Sequence, residues 1–391
     1  MKGDRKIGAL ITGGDFQGLA ALRTLARKQI PVILLDSDLC IGRFSRYCRR
    51  FVKSPPPAKT ESYLDFLINL TKRENVNGWV VFPNSDEAVN VLSRYKSILE
   101  EYYRVPTPCW DVIKHVYVKK ETYRTALQNA IPIPKTYEAA SLQELMASDL
   151  HYPLVVKPSI RDHFYSKTRI KGFRVDNETE LVKTYRRVRT IIDDSEIVVQ
   201  EFIPGGPRNL YSYCPFLKNG QIVTGLAARR SRQHPMDFGH ASTYVEVVNI
   251  PEMKHLAEKF LRAIGFYGIA EVEFMQDPRD RKFKLLEVNP RIWGWHGLAI
   301  AAGVDLPYIL YQDMTGQRLE LPQSVRPIKW VRLTTDIPTV LAEIIKGNIS
   351  IREYMASMRG QKEFAVLSAD DPWPSIMEMV LLPYLWRKRG F

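Results

Sequence analysis

The sequence predicts an α/β protein with more than one domain. Three observations carry that expectation. The chain opens with an apolar run, a glycine-containing loop, a helical stretch and a second apolar run, which is the β-α-β start of a doubly wound sheet. Residues 270–288 hold two short β-type runs around a polar link, with acids at alternating positions. A length of 391 residues exceeds what one simple core supports and points to two or three domains.

Composition narrows the class. A hydrophobic content of 45% with 25% charged residues is that of a globular protein. The net charge of +13, from 56 Lys+Arg against 43 Asp+Glu, favours anionic partners: nucleotides, acidic substrates, nucleic acid or anionic lipid. Cys40, Cys48, Cys109 and Cys214 are scattered with no CxxC pair, so neither a zinc site nor a disulfide framework is indicated. The first residues enter a strand without a secretory apolar region, and no apolar run approaches the length of a membrane span. A cytoplasmic location with reduced thiols is the expectation.

Taken in order, residues 6–12 read as a strand, residues 13–18 as a loop, the stretch from there to about Lys28 as a helix and residues 32–36 as a second strand. Asp36 sits where a dinucleotide site would place a ribose-binding acid. The G-x-G-x-x-G frame anchored on Gly13 and Gly18 fails, however, because Asp15 replaces its middle glycine and a carboxylate there opposes a pyrophosphate. A structural or substrate-lining role is expected for this loop. Residues 63–72 read as a helix and residues 78–82 as a strand. Asn84 or Ser85 can cap the next helix, with Asp86 and Glu87 in its first turn, where the helix dipole favours acids.

Residues 119–129 form a helical stretch, followed by the proline-punctuated connector IPIPKTY. In the strand YPLVVKP, Lys157 abuts two valines, a costly place for an ammonium unless it meets an anion. Residues 159–174 read as a basic loop with Arg161, Lys167, Arg169, Lys171 and a single glycine, Gly172. Residues 196–203 are a strand breaking at Pro204-Gly205-Gly206. Residues 210–217 and 221–228 make a hairpin about Asn219-Gly220. Arg229, Arg230, Arg232 and His234 follow it directly, beside the segment 238–242. Guanidiniums after a strand can clamp a carboxylate or phosphate bidentately. Nucleic-acid contact is the competing reading, but regularly interleaved aromatics are missing. Residues 252–264 are an amphipathic helix leading into the central pair.

In that pair, side chains alternate, so Glu271 and Glu273 share one face and Glu287 and Asn289 share another. Acids are disfavoured in β-runs. A divalent cation held by Glu273, Glu287 and Asn289 would account for them, because hard cations take carboxylate and amide oxygens. A solvated sheet face explains one acid equally well; Glu-x-Asn-Pro-Arg following an apolar run, with an acid on the preceding strand, favours a site.

These residues, Glu273 in VEF and Glu287, Asn289 and Arg291 in LLEVNPR, resemble the metal end of the ATP-grasp ligases. The resemblance implies Mg²⁺ ions, with Mn²⁺ as an alternative, on Glu273, Glu287 and Asn289, bridging the phosphates of ATP. It implies that Arg291 faces the transferred phosphoryl group and that Lys157 binds the phosphates. A second phosphate lysine at the start of the 119–129 helix maps to Lys120, with Lys119 as the alternative. Residues 159–174 take the place of the phosphate-covering loop, and Lys171 there implies a grip through side-chain charge where many relatives use glycines. Glu201, Phe202 and Ile203 fall on the adenine hinge. Asn209 falls where many relatives carry an acid for the nucleotide. The run ARRSRQHPMDFGHAS resembles the carboxylate–amine ligase branch that includes D-aspartate ligase-like proteins, which implies that Arg229 and Arg232 orient an acceptor carboxylate. Asn84, Ser85 and Asp86 are implied as lining for the acceptor site, and a plain helix cap is equally consistent with them.

The implied architecture is a Rossmann-like pre-ATP-grasp domain over residues 1–114, an ATP-grasp core over 115–316 with two α+β subdomains clasping ATP, and a C-terminal extension over 317–391 of unassigned role. The extension ends MVLLPYLWRKRGF, apolar then basic; contact with a membrane surface is one reading and packing with a charged tip the expected one. The implied activity is ATP-dependent joining of a carboxylate to an amine through an acyl phosphate, releasing ADP and phosphate. Small-molecule carboxylate and amine substrates are the expected partners, with no nucleic acid, and a homodimer is left open. The alternatives are a nucleotide-binding regulatory module without turnover and a basic nucleic-acid-binding protein.

Overall fold

A computed structural model describes residues 6–389 apart from 237, 238 and 240. The expectations that touch Phe238 and His240 lie outside the described residues. The N-terminal unit is a parallel sheet of β1 (Ala9–Thr12), β2 (Val32–Asp36), β3 (Arg50–Lys53) and β4 (Val80–Pro83), in the order β3-β2-β1-β4. Every residue of β1 and β4 is buried, as expected for parallel strands covered on both faces.

The loop after β1 explains why the dinucleotide frame fails. The Asp15 carboxylate accepts from the Phe16 amide and caps the helix Phe16–Arg27. Asp36 accepts from the Gly14 amide at 2.7 Å and the Asp38 amide at 3.0 Å, so its carboxylate braces the loop. A Cβ at Gly18 would lie 1.9 Å from the Gly13 carbonyl oxygen, so only glycine permits this approach of helix to strand. After β4, Ser85 caps the helix Asp86–Arg94, and Asn84 instead donates to the Gly13 carbonyl at 2.9 Å.

A second, antiparallel sheet holds β5 (Thr136–Tyr137), β6 (Leu154–Pro158), β7 (Phe173–Val175) and β8 (Ile197–Glu201), in the order β5-β8-β6-β7. Its core is its own, drawn from residues 137–199. Residues 161–168, expected as loop, form a helix whose last carbonyls are closed by Arg169 in the left-handed region at φ 59°.

The third sheet is the scaffold of the molecule. It contains β9 (Leu210–Lys218), β10 (Gln221–His234), β11 (Ala241–Val248), β12 (Gly268–Ile269), β13 (Glu271–Gln276), β14 (Phe283–Asn289), β15 (Lys329–Val331) and β16 (Lys362–Phe364). The order is β14-β13-β9-β10-β11-β15-β16, with β12 also on β9. Asn219 and Gly220 both have positive φ, 52° and 72°, and close a two-residue turn between Lys218 and Gln221. The arginine run does not follow β10; it lies inside it, and the pairing with β11 slips between Arg229 and Gln233. Residues past 316 supply β15 and β16, so the C-terminal segment completes this sheet. One core joins the Phe16–Arg27 helix, β9, the 292–310 segment, Trp330 and Leu385. The third sheet and the N-terminal sheet therefore share an apolar interior, and the second sheet stands apart from it. Cys40 and Cys214 are buried thiols, Cys48 is half-buried and Cys109 is exposed. No helix of the described residues is long and apolar enough to cross a membrane.

Candidate active site

A cavity of about 310 Å³ opens between the second and third sheets, within the size range of small-molecule sites. β6 contributes Lys157, residues 201–203 form one wall, and Glu273 and Glu287 stand at the far side.

The acids are placed by the strand register. In the β13–β14 pair, Glu271 lies opposite Asn289 and Glu273 opposite Glu287. Like charges set directly opposite destabilise a sheet unless a cation joins them. The Asn289 amide donates to Glu273 at 2.9 Å and to Glu271 at 3.2 Å. Arg230, buried on β10, donates to Glu273 and lies 3.8 Å from Glu271. Burial and the adjacent Glu273 push the Glu271 carboxyl up to about 8, against Arg230 and a 2.9 Å hydrogen bond from Ser212. Burial also raises Glu273, against the pull of Arg230. Glu287 goes the other way: burial would raise it, but Lys119, Lys171, Arg161 and Lys157 together hold it well below the usual carboxylate range.

Those four cations come from two helices, β6 and the loop before β7. The Lys119 amide donates to the Ser159 carbonyl at 3.0 Å, which fixes the helix Lys119–Gln128 against the end of β6 and sets the Lys119 ammonium 3.3 Å from Glu287. Lys157 donates to the Tyr123 hydroxyl at 2.7 Å, and Tyr123 in turn donates to the Leu286 carbonyl at 2.8 Å. Lys171 donates to the Gly239 carbonyl at 2.8 Å. A Cβ at Gly172 would come within 3.1 Å of the Lys157 Cβ, so the one glycine of this segment lets it pass close to β6. Burial and the neighbouring Lys119 bring the Lys157 ammonium down to about 7. Burial and Arg161 bring Lys171 down to about 8. Positive charge here exceeds what Glu287 neutralises, so the pocket is suited to a polyanion.

Arg291 makes a two-pronged ion pair with Asp86, at 2.5 and 3.2 Å, and its Nη2 donates to the Asn289 side-chain oxygen at 3.1 Å. Arg161 approaches the same Asp86 carboxylate at 3.5 Å. Burial would raise Asp86, but Arg291 and Arg161 bring it down. The helix after β4 thereby meets the end of β14, and the N-terminal unit closes one end of the site.

At the hinge, the Glu201 amide donates to Lys135 and the Phe202 amide to Pro153, both at 2.9 Å. Among the described residues the Ile203 amide has no backbone acceptor, which makes Ile203 the hinge donor open to a ligand. The Glu201 side chain does something the sequence did not disclose: it accepts from Lys284 at 2.7 Å and Arg279 at 2.6 Å, joining β8 to the β13–β14 turn. The Arg174 guanidinium lies 4.6 Å from the Phe202 ring centre on the cavity wall.

Four expected residues stand elsewhere. Lys119, and not Lys120, lines the cavity; burial lowers Lys120, and the acids acting on it are Glu138, Asp193 and Glu196. Asn209 is away from the lining, its amide lying against Gly205, where a Cβ would come within 2.1 Å of it. Arg229 donates to the Arg208 carbonyl at 2.9 Å. Arg232 is buried and holds Asp336 through two 2.8 Å hydrogen bonds, with a third to Ser357 at 2.9 Å. Alternation along β10 sets Arg229 and Arg230 on opposite faces, and the register against β11 slips on both sides of Arg232, where strict alternation ends. Arg230 is the member of the run that reaches the acids. The sequence held that signal, since one arginine of an in-strand run faces the site, but not the phase. Among the described residues no group of three acidic, histidine or cysteine side chains is gathered for a metal. The oxygen donors of Glu273, Glu287 and Asn289 do suit a hard cation, and the opposed carboxylates call for one. Arg230 and Lys119 meet that charge here.

Residues 211–336 match a family described as ATP-grasp in the biosynthetic pathway with Ter operon. This segment is an ATP-grasp domain. A D-aspartate ligase of Enterococcus faecium (strain Aus0004) is 24% identical over 301 residues, covering 72% of this chain and 70% of that protein. Among solved structures, the L-amino acid ligase from Bacillus licheniformis superposes with a TM-score of 0.62 at 17% identity, covering 83% of this chain and 78% of that one. The biotin carboxylase domain of Hydrogenobacter thermophilus 2-oxoglutarate carboxylase, solved with MgADP, ADP and bicarbonate, gives 0.64 at 16% identity, covering 83% and 73%. At such identities the superpositions establish the ATP-grasp fold. The matched segment spans β9 to the start of the helix Leu333–Ile345, which includes the acids of β13 and β14 and all of β15.

Proposed function

We propose that this chain is an ATP-dependent carboxylate–amine ligase. The observation that carries the reading is the facing of two charge sets across one cavity: Lys119, Lys157, Lys171 and Arg161 against Glu273 and Glu287, with Arg291 at the end closed by the N-terminal unit. The D-aspartate ligase relative supports the reaction class.

In this reading the nucleotide base lies along residues 201–203, with the Ile203 amide as donor, and the phosphates reach the lysines. An oxygen of the substrate carboxylate attacks the γ-phosphorus, and the bond from that phosphorus to the β–γ bridging oxygen breaks, releasing ADP. The amine then attacks the acyl carbon and loses a proton, and the bond to phosphate breaks. The protein's task is to neutralise charge and align the groups. Lys157 and Lys171 hold phosphate oxygens. Arg291 offers a guanidinium to the anion that develops at the acceptor end, exchanging its Asp86 partner for it. Glu273, Glu287 and Asn289 would hold Mg²⁺, with Mn²⁺ as the alternative, which supplies further neutralisation of the phosphates when bound. Lys119 and Arg230 release those acids by turning to the nucleotide.

The test is a screen of amino acids and carboxylates for ATP-dependent phosphate release, with product masses. One pair should give ADP, phosphate and a mass equal to the two substrates less water. ATP binding with no turnover on any pair would favour a regulatory nucleotide module instead.

A further inference from the structure

The C-terminal helices carry a surface that the active site does not use. Twelve of the sixteen exposed large apolar side chains among the described residues lie between Ile337 and Trp386. They fall in stripes. On the helix Leu333–Ile345, Ile337, Leu341 and Ile345 recur every fourth residue, opposite the buried Asp336, Val340 and Glu343. On the helix Trp373–Val380, Trp373, Ile376 and Val380 are exposed while Pro374 and Glu378 are buried. Glu378 accepts from Arg332 at 3.0 Å and Thr334 at 3.2 Å, which joins that helix to the start of the first one. The helix Leu382–Arg389 follows; Leu385 packs inward, while Tyr384 and Trp386 do not. Inward packing of the apolar tail, expected from the sequence, therefore holds for Leu381 and Leu385, and the exposed Met379, Val380, Tyr384 and Trp386 depart from it. Such a concentration of exposed apolar side chains marks an interaction site.

Charge selects the occupant. The acids of this segment are paired or turned inward: Asp336 with Arg232, Glu378 with Arg332, Asp371 with Arg23, Asp370 with Arg27 and Glu343 with Lys346, while Glu363 on β16 is half-buried. Glu353 stays at the surface as part of a capping box with Ser350. Among the described residues Arg352, Arg359 and Arg387 are exposed without a carboxylate partner, and the sequence continues with Lys388 and Arg389. A second copy docked across a twofold axis would set these cations against themselves. A surface of anionic headgroups over an apolar layer matches both features, and tryptophan and tyrosine favour that boundary.

We propose that these helices form a peripheral docking face for a membrane of anionic lipid, with the apolar stripes entering the headgroup boundary and Arg352, Arg359 and Arg387 meeting the phosphates. The face lies outside the cavity, and the inference stands independently of the ligase reading.

Flotation of the full chain with phosphatidylcholine vesicles, with and without phosphatidylglycerol, tests it. Binding should require phosphatidylglycerol and weaken with salt. The double substitution Trp373→Ser with Val380→Ser, and separately Arg387→Glu, should each lower the partition coefficient by about tenfold or more. All three positions are exposed, and an unchanged melting temperature confirms the fold of each variant. Light scattering gives the oligomeric state in parallel. Failure to float, or equal flotation of parent and variants, overturns the proposal. A dimer that the serine pair dissociates, without flotation, also overturns it and assigns the face to a second copy.

Discussion

Replacing Glu287 by glutamine tests the polar core of the site. The side chain keeps its shape and loses its charge. Glu287 sits 3.3 Å from the Lys119 ammonium, and Lys171, Arg161 and Lys157 also act on it. At an effective dielectric of about 20, one pair at that distance is worth about 5 kcal/mol before desolvation. The Glu287 side chain is 33% exposed, so screening and desolvation leave about 1–2 kcal/mol of net stability. The ligand-free variant should lose only a few degrees of Tm. Turnover should fall on the order of 10²–10³-fold, the cost of removing a group that organises transition-state charge. Nucleotide affinity without magnesium should hold or tighten, because four cations lose their resident anion and a polyphosphate replaces it. The assays are single-turnover ligation, titration of ATP with and without magnesium, and thermal unfolding. Ligation at the parent rate would refute the role given to Glu287. Equal loss of magnesium-free ATP binding and of turnover would mean that the residue supports the fold of the pocket and has no part in its chemistry.

Other outcomes follow from the same geometry. Lys157→Ala should raise the KM for ATP and lower kcat while the fold persists, and unchanged ATP kinetics would place Lys157 outside the site. Arg232→Ala should cost about 3–5 kcal/mol of stability, because Asp336 is left buried with its charge unmatched, and chemical denaturation measures it; a stable variant with a raised KM for the carboxylate substrate would restore Arg232 to the acceptor site. The lysines set a pH dependence. Lys157 near 7 and Lys171 near 8 lie below the unfolded value of about 10.4, so between about pH 7 and pH 10 the unfolded chain binds more protons and the ligand-free protein gains stability as pH rises. ATP reverses the depression, so its binding near pH 8 should take up protons and weaken from pH 7 to pH 9. Calorimetry in buffers of different ionisation enthalpy reads this, and proton release would contradict it.

The strands that build the site were legible because their patterns are local. The apolar run before Lys157, the alternation through Glu271 and Glu273, and the Asn-Gly turn each fix structure within a few residues. What was not legible depends on phase or on distant partners. The arginine run of β10 was visible as chemistry, yet which arginine meets the acids depends on a register slip against β11. Lys119 and Lys120 are adjacent at a helix start, and only the anchoring to Ser159 decides which enters the cavity. Asp86 was a candidate as a capping neighbour, but its pairing with Arg291 joins residues 205 positions apart. The segment past 316 matched no motif because its strands are short and its acids pair with arginines elsewhere in the chain.

The Arg23 ion pair bears on how the chain is made. Arg23 lies on the first helix and is buried against Asp371, which also accepts from Ser45 at 2.6 Å and from the Arg46 amide at 2.9 Å. Arg23 and Asp371 are 348 positions apart. At synthesis rates of about 5–20 residues per second, the first helix waits roughly 20–70 s for its counter-ion. During that interval the N-terminal sheet holds a guanidinium at a face meant to be dry, and contacts of such separation close late. A ribosome product that stops short of Asp371 therefore keeps an open seam along its first helix, and proteases can distinguish it from the finished chain by that seam.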